Sequence, residues 1–233
     1  MVKINEFFDK LFNLTPGYIF GFLYFIIGLT GDLLALLFSG LAGDYIMWEK
    51  SISVLGHKTG GIYLRGGLII SSLFSIPFII YMGRVVKHED INENLSRLPV
   101  IVGIFSCVTA ILTGTFSGVN EFISMLHGLF ALFSWLGGAI FTLLFSIVML
   151  KNPNFSKRAT YIGFIVAGIF GTYLIPFFIT NFCNFYTNIC YSVGRKIYTI
   201  MPLFEWSVIF SILFWHLFYG SYLRYKKNLI RTG

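Results

Sequence analysis

Six long apolar segments constrain this chain more than any other feature of its sequence. Each can cross a hydrocarbon layer of about 30 Å as a helix of about 20 residues. The segments cover residues 18–39, 63–86, 98–119, 124–150, 159–180 and 201–223. The sequence therefore predicts an all-α fold, a polytopic membrane bundle of six transmembrane helices with both termini on the same side.

The low charge content points to the same class of protein. Only 12% of the 233 residues are charged and 56% are apolar, whereas soluble domains carry about 25% charged residues. Disordered chains and nucleic-acid modules need more charge, and a small disulfide scaffold needs more than three cysteines. We expect an interfacial N-terminal segment at 1–16, one transmembrane domain at 17–223, a basic tail at 224–233 and no nucleic-acid partner.

Lysine and arginine in the connections predict the orientation, because cytoplasmic loops are enriched in these residues. Twelve lie on the side of the termini and five on the other side. Both termini are therefore expected in the cytoplasm. The localisation that follows is an integral, multi-pass protein of the cell membrane.

Five charged or titratable residues are expected at similar depth near the outer side. Such groups are costly inside a bilayer, so each is a candidate for function. They come from four segments and one connection, and they are Asp32, Arg65, Glu121, His127 and Glu205. In the alternative interpretation, Arg65, Glu121 and Glu205 reach interfacial water, and only Asp32 and His127 are buried.

Enzyme signatures are weak in this sequence. A zinc hydrolase needs about three protein ligands and an open position, and the outer side offers only His57 and His127. Ser51, Ser53 or Ser124 can pair with His127, but no nucleophile-elbow sequence accompanies them. We expect no metal and no other cofactor, and the sequence leans against an enzyme without excluding one.

The cysteines and one further histidine have structural interpretations. Cys183 and Cys190 lie in the last external connection, where an oxidising environment can join them in a disulfide that braces the loop. Cys107 is interpreted as inert packing inside the third segment. His216, beside Trp215, is interpreted as a hydrogen-bonded contact between helices.

Three short motifs follow one another between the first and fourth segments. The first external connection reads Ser51-Ile-Ser-Val-Leu-Gly56, the third segment ends at Gly114-Thr-Phe-Ser-Gly118, and the fourth contains His127-Gly-Leu-Phe. Over about residues 17–176 this order resembles an uncharacterised archaeal and bacterial family of six-span proteins, similar in turn to eukaryotic Frag/DRAM/Sfk-type membrane proteins. The positions that match are Ser51, Ser53, Leu55, Gly56, Gly114, Phe116 and His127.

The resemblance implies a role associated with lipids. The related eukaryotic proteins are implicated in lipid remodelling, lipid asymmetry and autophagy, and no reaction follows from this. The sequence departs from the family at the start of the second segment, where Leu64-Arg65-Gly66 stands instead of an Asn or Glu near a Phe. A shared contact to the headgroup is therefore not implied at this position.

The leading hypothesis is a protein that binds lipid headgroups in an outward-facing polar pocket without catalysing a reaction. Arg65 would contact phosphate, and Asp32 and His127 would set the charge and hydrogen bonding of the pocket. The loop that contains Ser51 and Ser53 would cover it. Two alternatives remain: an accessory subunit that binds a membrane-protein partner or a second copy of itself, and an intramembrane hydrolase.

Overall fold

The structure is a computed structural model whose regular elements are all helices, with no strands among the residues it describes. The predicted all-α class is therefore confirmed. The backbone is described for residues 2–118, 120–186 and 188–232, and side chains for 5–118, 120–179, 196–197 and 199–226.

Eight helices occur in these described ranges. In chain order they are α1 (Val2–Leu14), α2 (Tyr18–Leu41), α3 (Ile52–Leu55), α4 (Gly61–Val85), α5 (Glu93–Thr115), α6 (Glu121–Lys151), α7 (Lys157–Tyr186) and α8 (Asn188–Thr232). All except the short helices α1 and α3 contain a stretch long and apolar enough to cross a membrane. The six predicted spans are confirmed, and by length and composition the chain is a multi-pass membrane protein.

Helices α5 and α6 begin earlier than hydropathy predicts, at residues with side-chain caps. α5 begins at Glu93 and α6 at Glu121, rather than at 98 and 124. The side chains of Asn92 and Asn120 accept hydrogen bonds from backbone N–H groups two residues further along the chain, at 2.9 Å in both cases. Such N-caps start a helix in polar sequence that a hydropathy profile does not assign to the span.

The connection before the last span is helical, so the expectation of a loop there is wrong. α7 continues to Tyr186 and α8 begins at Asn188. No proline, and no glycine before Gly194, interrupts this stretch, so nothing in the sequence breaks the helices early. The side chains of Cys183 and Cys190 lie outside the described residues, and their disulfide stays a prediction.

The N-terminal segment contains the helix α1. Its Asp9 carboxylate forms an ion pair with Arg84 of α4 at 2.5 Å. The Phe12 ring lies edge-on to Tyr81, with 5.4 Å between ring centroids. These contacts fix α1 against the same end of the bundle as the 86–92 turn.

The six spanning helices form a closed ring. Each packs against its neighbours in the chain, from α2 through α4, α5, α6 and α7 to α8, and α8 packs back against α2. We name the end that carries the 42–60 connection the α3 end, and the end that carries α1 the α1 end. A ring of six leaves a central space, and its two ends are occupied differently.

Aromatic rings fill the centre towards the α1 end. Four rings surround the Trp215 indole, with centroid distances between 4.9 and 6.0 Å. All five side chains are buried. We name this cluster the aromatic plug, and it consists of Phe78, Phe141, Phe145, Trp215 and Tyr219.

Glycines bring α2 and α4 into backbone contact. A Cβ atom on Gly31 would lie 2.7 Å from the Cα atom of Gly67, and one on Gly21 would lie 2.8 Å from the Phe78 ring. Such close approach needs small residues. The two contacts fix an antiparallel register in which residue 31 faces 67 and residue 21 faces 78.

Candidate functional site

A central cavity of about 1150 Å³, counted to its open mouth, occupies the ring between the α3 end and the aromatic plug. All six spanning helices contribute to its wall, and Ile52, Ser53 and Gly56 of the α3 region lie at its mouth. Phe141 and His216 close the opposite side. The cavity is therefore a deep pocket that opens at the α3 end.

Asp32 of α2 and Arg65 of α4 line this cavity at the same level. Asp32 follows Gly31, and Arg65 lies two residues before Gly67, where the two helices touch. The register of α2 and α4 therefore holds both charged groups within about one helical turn of the same contact.

The Asp32 carboxylate has no partner among the described residues. Its side chain is buried, with the residue only 8% exposed, and it faces the cavity. It accepts no hydrogen bond and joins no ion pair in the part of the chain that the structure describes. Because a carboxylate within a membrane-spanning helix is costly, Asp32 is a candidate for contact with a group bound in the cavity.

Arg65 is held by neutral groups alone. Its Nη1 donates to the carbonyl oxygen of Ser117 at 3.3 Å and its Nε donates to that of Gly61 at 3.4 Å. No carboxylate pairs with it among the described side chains. The carbonyls orient the guanidinium without neutralising it, so the cavity carries one positive and one negative group that lack counter-ions.

His127 of α6 adds a hydrogen-bonding atom at the same end. Its Nδ1 lies 3.0 Å from the carbonyl oxygen of Thr113. A carbonyl only accepts, so Nδ1 donates to it and the Nε2 atom remains available. The ring lines the cavity and also a second space beside it.

The second space, of about 880 Å³, is bordered by α6, α7, α8 and the residues around α3, and we name it the side pocket. Ser51 and Glu205 line it, and Ser53 borders both spaces. Oε2 of Glu205 accepts from the Ile52 N–H at 2.7 Å, and Oε1 accepts from the Tyr173 hydroxyl at 3.4 Å. Glu205 therefore fastens α3 to the bundle.

The expected polar cluster is thus divided by the fold. Asp32, Arg65, His127 and Ser53 share the central cavity, whereas Ser51 and Glu205 face the side pocket. Glu121 is exposed and lines neither space. The alternative in which Glu205 reaches interfacial water does not hold, because this side chain is buried and hydrogen-bonded.

The polar groups at the floor of the cavity are absent from the sequence-based prediction of the site. Ser75 of α4 and His216 of α8 join across the ring, with 2.7 Å between Oγ and Nε2. The interpretation of His216 as a hydrogen-bonded helix contact agrees with this bond. A usable signal exists at Ser71, Ser72 and Ser75, because Ser75 lies four positions after the first and three after the second, and residues at these spacings are neighbours on a helix face.

No family model matches this chain, and no curated protein or solved structure is similar to it. The resemblance to the six-span family therefore stays a prediction. Among the side chains that the structure describes, no three His, Cys, Asp or Glu residues lie close enough to hold a metal ion. What the cavity can bind follows from the geometry of Asp32, Arg65 and the groups around them.

Proposed function

We propose that this protein binds a membrane lipid in the central cavity by a headgroup that carries both a phosphate and an amine. The observation that carries the proposal is the pair of opposite charges, Asp32 and Arg65, that line one cavity without protein counter-ions. A guanidinium suits a phosphate because it donates several hydrogen bonds in a fixed plane. A carboxylate suits an ammonium group, and His127 adds a further hydrogen bond.

The wall of the cavity supports a lipid over a water-soluble ligand. Beside the charged level, most of the exposed wall surface is apolar, although serines and threonines are interspersed, and an acyl chain can pack against the apolar part. The aliphatic side chains are Leu64, Leu68, Ile209, Ile212 and Leu213.

The cavity opens towards the outer leaflet of the cell membrane in this proposal. Support comes from the charge asymmetry of the connections, with five Lys or Arg residues on the side of the α3 end and twelve on the side of the termini. The role is lipid handling by binding. The α3 region, fastened by Glu205, forms the rim of the site.

Native mass spectrometry of the protein released from mild detergent tests the proposal. We expect the wild-type chain to retain a lipid with a phosphate and an amine in its headgroup. Arg65→Ala and Asp32→Asn should each lower the retained fraction about tenfold or more, equivalent to about 1.4 kcal/mol. Glu121→Gln is the matched control, because Glu121 is exposed outside both spaces, and it should retain the lipid as the wild type does.

Two results would overturn the proposal. Equal retention in the wild type, Arg65→Ala and Asp32→Asn would show that the charged level does not hold the lipid. Displacement of the lipid by soluble phosphoethanolamine at similar concentrations would show that the acyl part contributes nothing. The ligand would then be a water-soluble phosphate compound.

A further inference from the structure

The floor of the cavity holds a hydroxyl and an imidazole in direct contact. Oγ of Ser75 lies 2.7 Å from Nε2 of His216, and both residues line the cavity. Both are almost fully buried, at 1% exposure each. The pair joins helices that are distant in sequence and adjoins the open space directly.

The other ring nitrogen fixes the direction of this hydrogen bond. Nδ1 of His216 lies 2.9 Å from the carbonyl oxygen of Ile212. Since a carbonyl only accepts, Nδ1 carries the hydrogen, and Nε2 must accept from the Ser75 hydroxyl. The Tyr24 ring is stacked on the imidazole, with 3.6 Å between centroids, and holds the plane of the base.

This arrangement has the three parts of an activated nucleophile. A hydroxyl donates to an imidazole nitrogen, and a third group orients the imidazole through its other nitrogen. A serine that only supports a helix contact commonly donates its hydroxyl hydrogen to a carbonyl of its own helix, and its rotamer is not required to point to a base. Here the hydroxyl is directed to the base at the surface of a cavity.

We propose that Ser75 and His216 are the nucleophile and the general base of an acyl-transfer site that hydrolyses a carboxylic ester in the central cavity. The inference deepens the proposed function and rests on it in one respect, that the ester belongs to the lipid held at Asp32 and Arg65. The substrate class is a lipid ester, and water is the second reactant.

The reaction proceeds in two balanced steps. Ser75 Oγ forms a bond to the ester carbonyl carbon while its proton passes to His216 Nε2, and the carbon–oxygen bond to the alcohol breaks as the alcohol takes that proton. Water then adds to the acyl-serine and gives a proton to Nε2. Ser75 Oγ leaves with this proton, and a carboxylic acid is released.

The distance between the charged level at Asp32 and the floor of the cavity suits a lipid ester. Asp32 and Tyr24 are eight residues apart on α2, which places the charged level about 12 Å nearer the mouth than the floor. A lipid bound by its headgroup at Asp32 and Arg65 directs its ester linkages towards the floor. The headgroup contacts therefore position the carbonyl that Ser75 attacks.

Two further hydroxyl groups at the cavity wall can stabilise the negative charge that develops on the carbonyl oxygen. Ser72 and Tyr24 both line the cavity, and neither forms another hydrogen bond with the described residues. Preorganised donors at such an oxygen supply a large part of the rate acceleration in acyl transfer. We assign them as positioned donors for this reason.

A fluorophosphonate probe applied to the full chain in detergent tests the nucleophile. Peptide mass spectrometry should locate the modification at Ser75 in the wild type. Ser75→Ala should abolish it, and His216→Phe, which keeps a ring to stack on Tyr24, should slow it about 100-fold. Ser71→Ala removes a neighbouring cavity hydroxyl that donates to the Leu68 carbonyl of its own helix and is the matched control, in which Ser75 should still be modified.

Either of two results would overturn the inference. An unmodified Ser75 in folded wild-type protein would contradict it, as would equal rates of modification in the wild type and His216→Phe. Size-exclusion profiles report whether each variant is folded, and His216→Asn serves as the second variant if the Phe substitution unfolds the chain.

A second readout separates this inference from the proposed function. We expect release of fatty acid from a short-chain phospholipid, lost in Ser75→Ala and reduced in Asp32→Asn. Retention of intact lipid without release of acid would overturn the inference and leave the binding proposal in place. Modification of Ser75 in the wild type, together with no lipid retained by Ser75→Ala, which cannot hydrolyse it, would overturn the binding proposal and support the nucleophile.

Discussion

The two ends of the helix ring use the same six helices for different purposes. On α4, Ile79 and Met82 are buried in the same hydrophobic core as the aromatic plug, whereas Ser72 and Ser75 line the cavity about one to three turns earlier on the helix. The plug fills its space with rings, and the cavity leaves space open beside an unpaired carboxylate. Filled space stabilises a fold, whereas a carboxylate inside a membrane-spanning helix costs stability. This contrast is the basis of our proposal that the α3 end is organised around a ligand.

The boundary between the two regions passes between neighbouring residues of α8. Trp215 is fully buried and in contact with the rings of the plug, while His216 is turned to Ser75 at the cavity floor. Replacing Trp215 should therefore lower the free energy of unfolding, and replacing His216 should lower the rate of the reaction proposed at Ser75. The predictions below test this division.

The largest effect is expected for Trp215→Ala. The substitution removes a fully buried indole and leaves a void among four aromatic rings, which should lower the free energy of unfolding by about 3–5 kcal/mol. Denaturant titration in micelles measures this. Trp48→Ala is the control, because Trp48 is 64% exposed, and a loss there as large as that at Trp215 would contradict the role of the plug.

A smaller loss is expected where α2 and α4 touch. A Cβ atom on Gly67 would lie 2.9 Å from the Cα atom of Gly31, whereas one on the adjacent Gly66 would meet nothing within 4 Å. Gly67→Ala should therefore cost about 1–3 kcal/mol through overpacking. Gly66→Ala should be neutral or stabilising by up to about 1 kcal/mol, and equal losses in the two variants would disprove the contact.

The fastening of α3 should contribute about 1 kcal/mol. Glu205→Gln keeps an oxygen that can accept from the Ile52 N–H but loses the charge that strengthens this hydrogen bond. Glu121→Gln, at an exposed acid, should change the free energy of unfolding by less than about 0.5 kcal/mol. If both substitutions have the same effect, Glu205 does not hold α3.

The smallest effect concerns the pH response of the 42–60 connection. Loss of surrounding water raises the pKa of Asp44. The hydrogen bonds from the Thr59 N–H and hydroxyl, together with the nearby Lys58 and Lys50, lower this pKa by a larger amount. The pKa of Asp44 therefore lies below its usual value. This stabilisation is present above the ordinary pKa of about 3.9 and is lost as the pH falls through the lowered pKa.

Thermal unfolding between pH 5 and 2 (roughly the range over which such carboxylates titrate) measures this contribution. The wild type should lose slightly more stability on acidification than Asp44→Asn, because only the wild type has this carboxylate to protonate. Identical pH profiles of the two proteins would show that the Thr59 contacts do not depend on the charge of Asp44.

The six spans were predictable from sequence, whereas the residues that line the cavity were predictable only in part. Hydropathy identifies a span because the bilayer selects apolar residues, but it does not say which face of a span meets which neighbour. Glu121 and Glu205 look alike as acids at span ends, and only packing of α3 over α8 buries the second. That contact joins residues 153 positions apart.

The floor of the cavity also shows that sequence alone does not predict which side chains pair. Ser75 lies within an apolar segment, and serines there commonly bond to their own helix, so the sequence alone does not pair it with His216. Asp32 and Arg65 were identified because intramembrane charges are rare. A residue's chemical type signals its cost in a bilayer, while its partner depends on the order of helices in the ring.

The most direct test measures stability and lipid retention together in Asp32→Asn. If the α3 end is organised around a ligand, removing the unpaired charge should leave the free energy of unfolding of the lipid-free protein unchanged or raise it by about 1 kcal/mol, while the retained lipid is lost. A fall in the free energy of unfolding with the lipid still bound would contradict the account, because Asp32 would then support the fold and not the ligand.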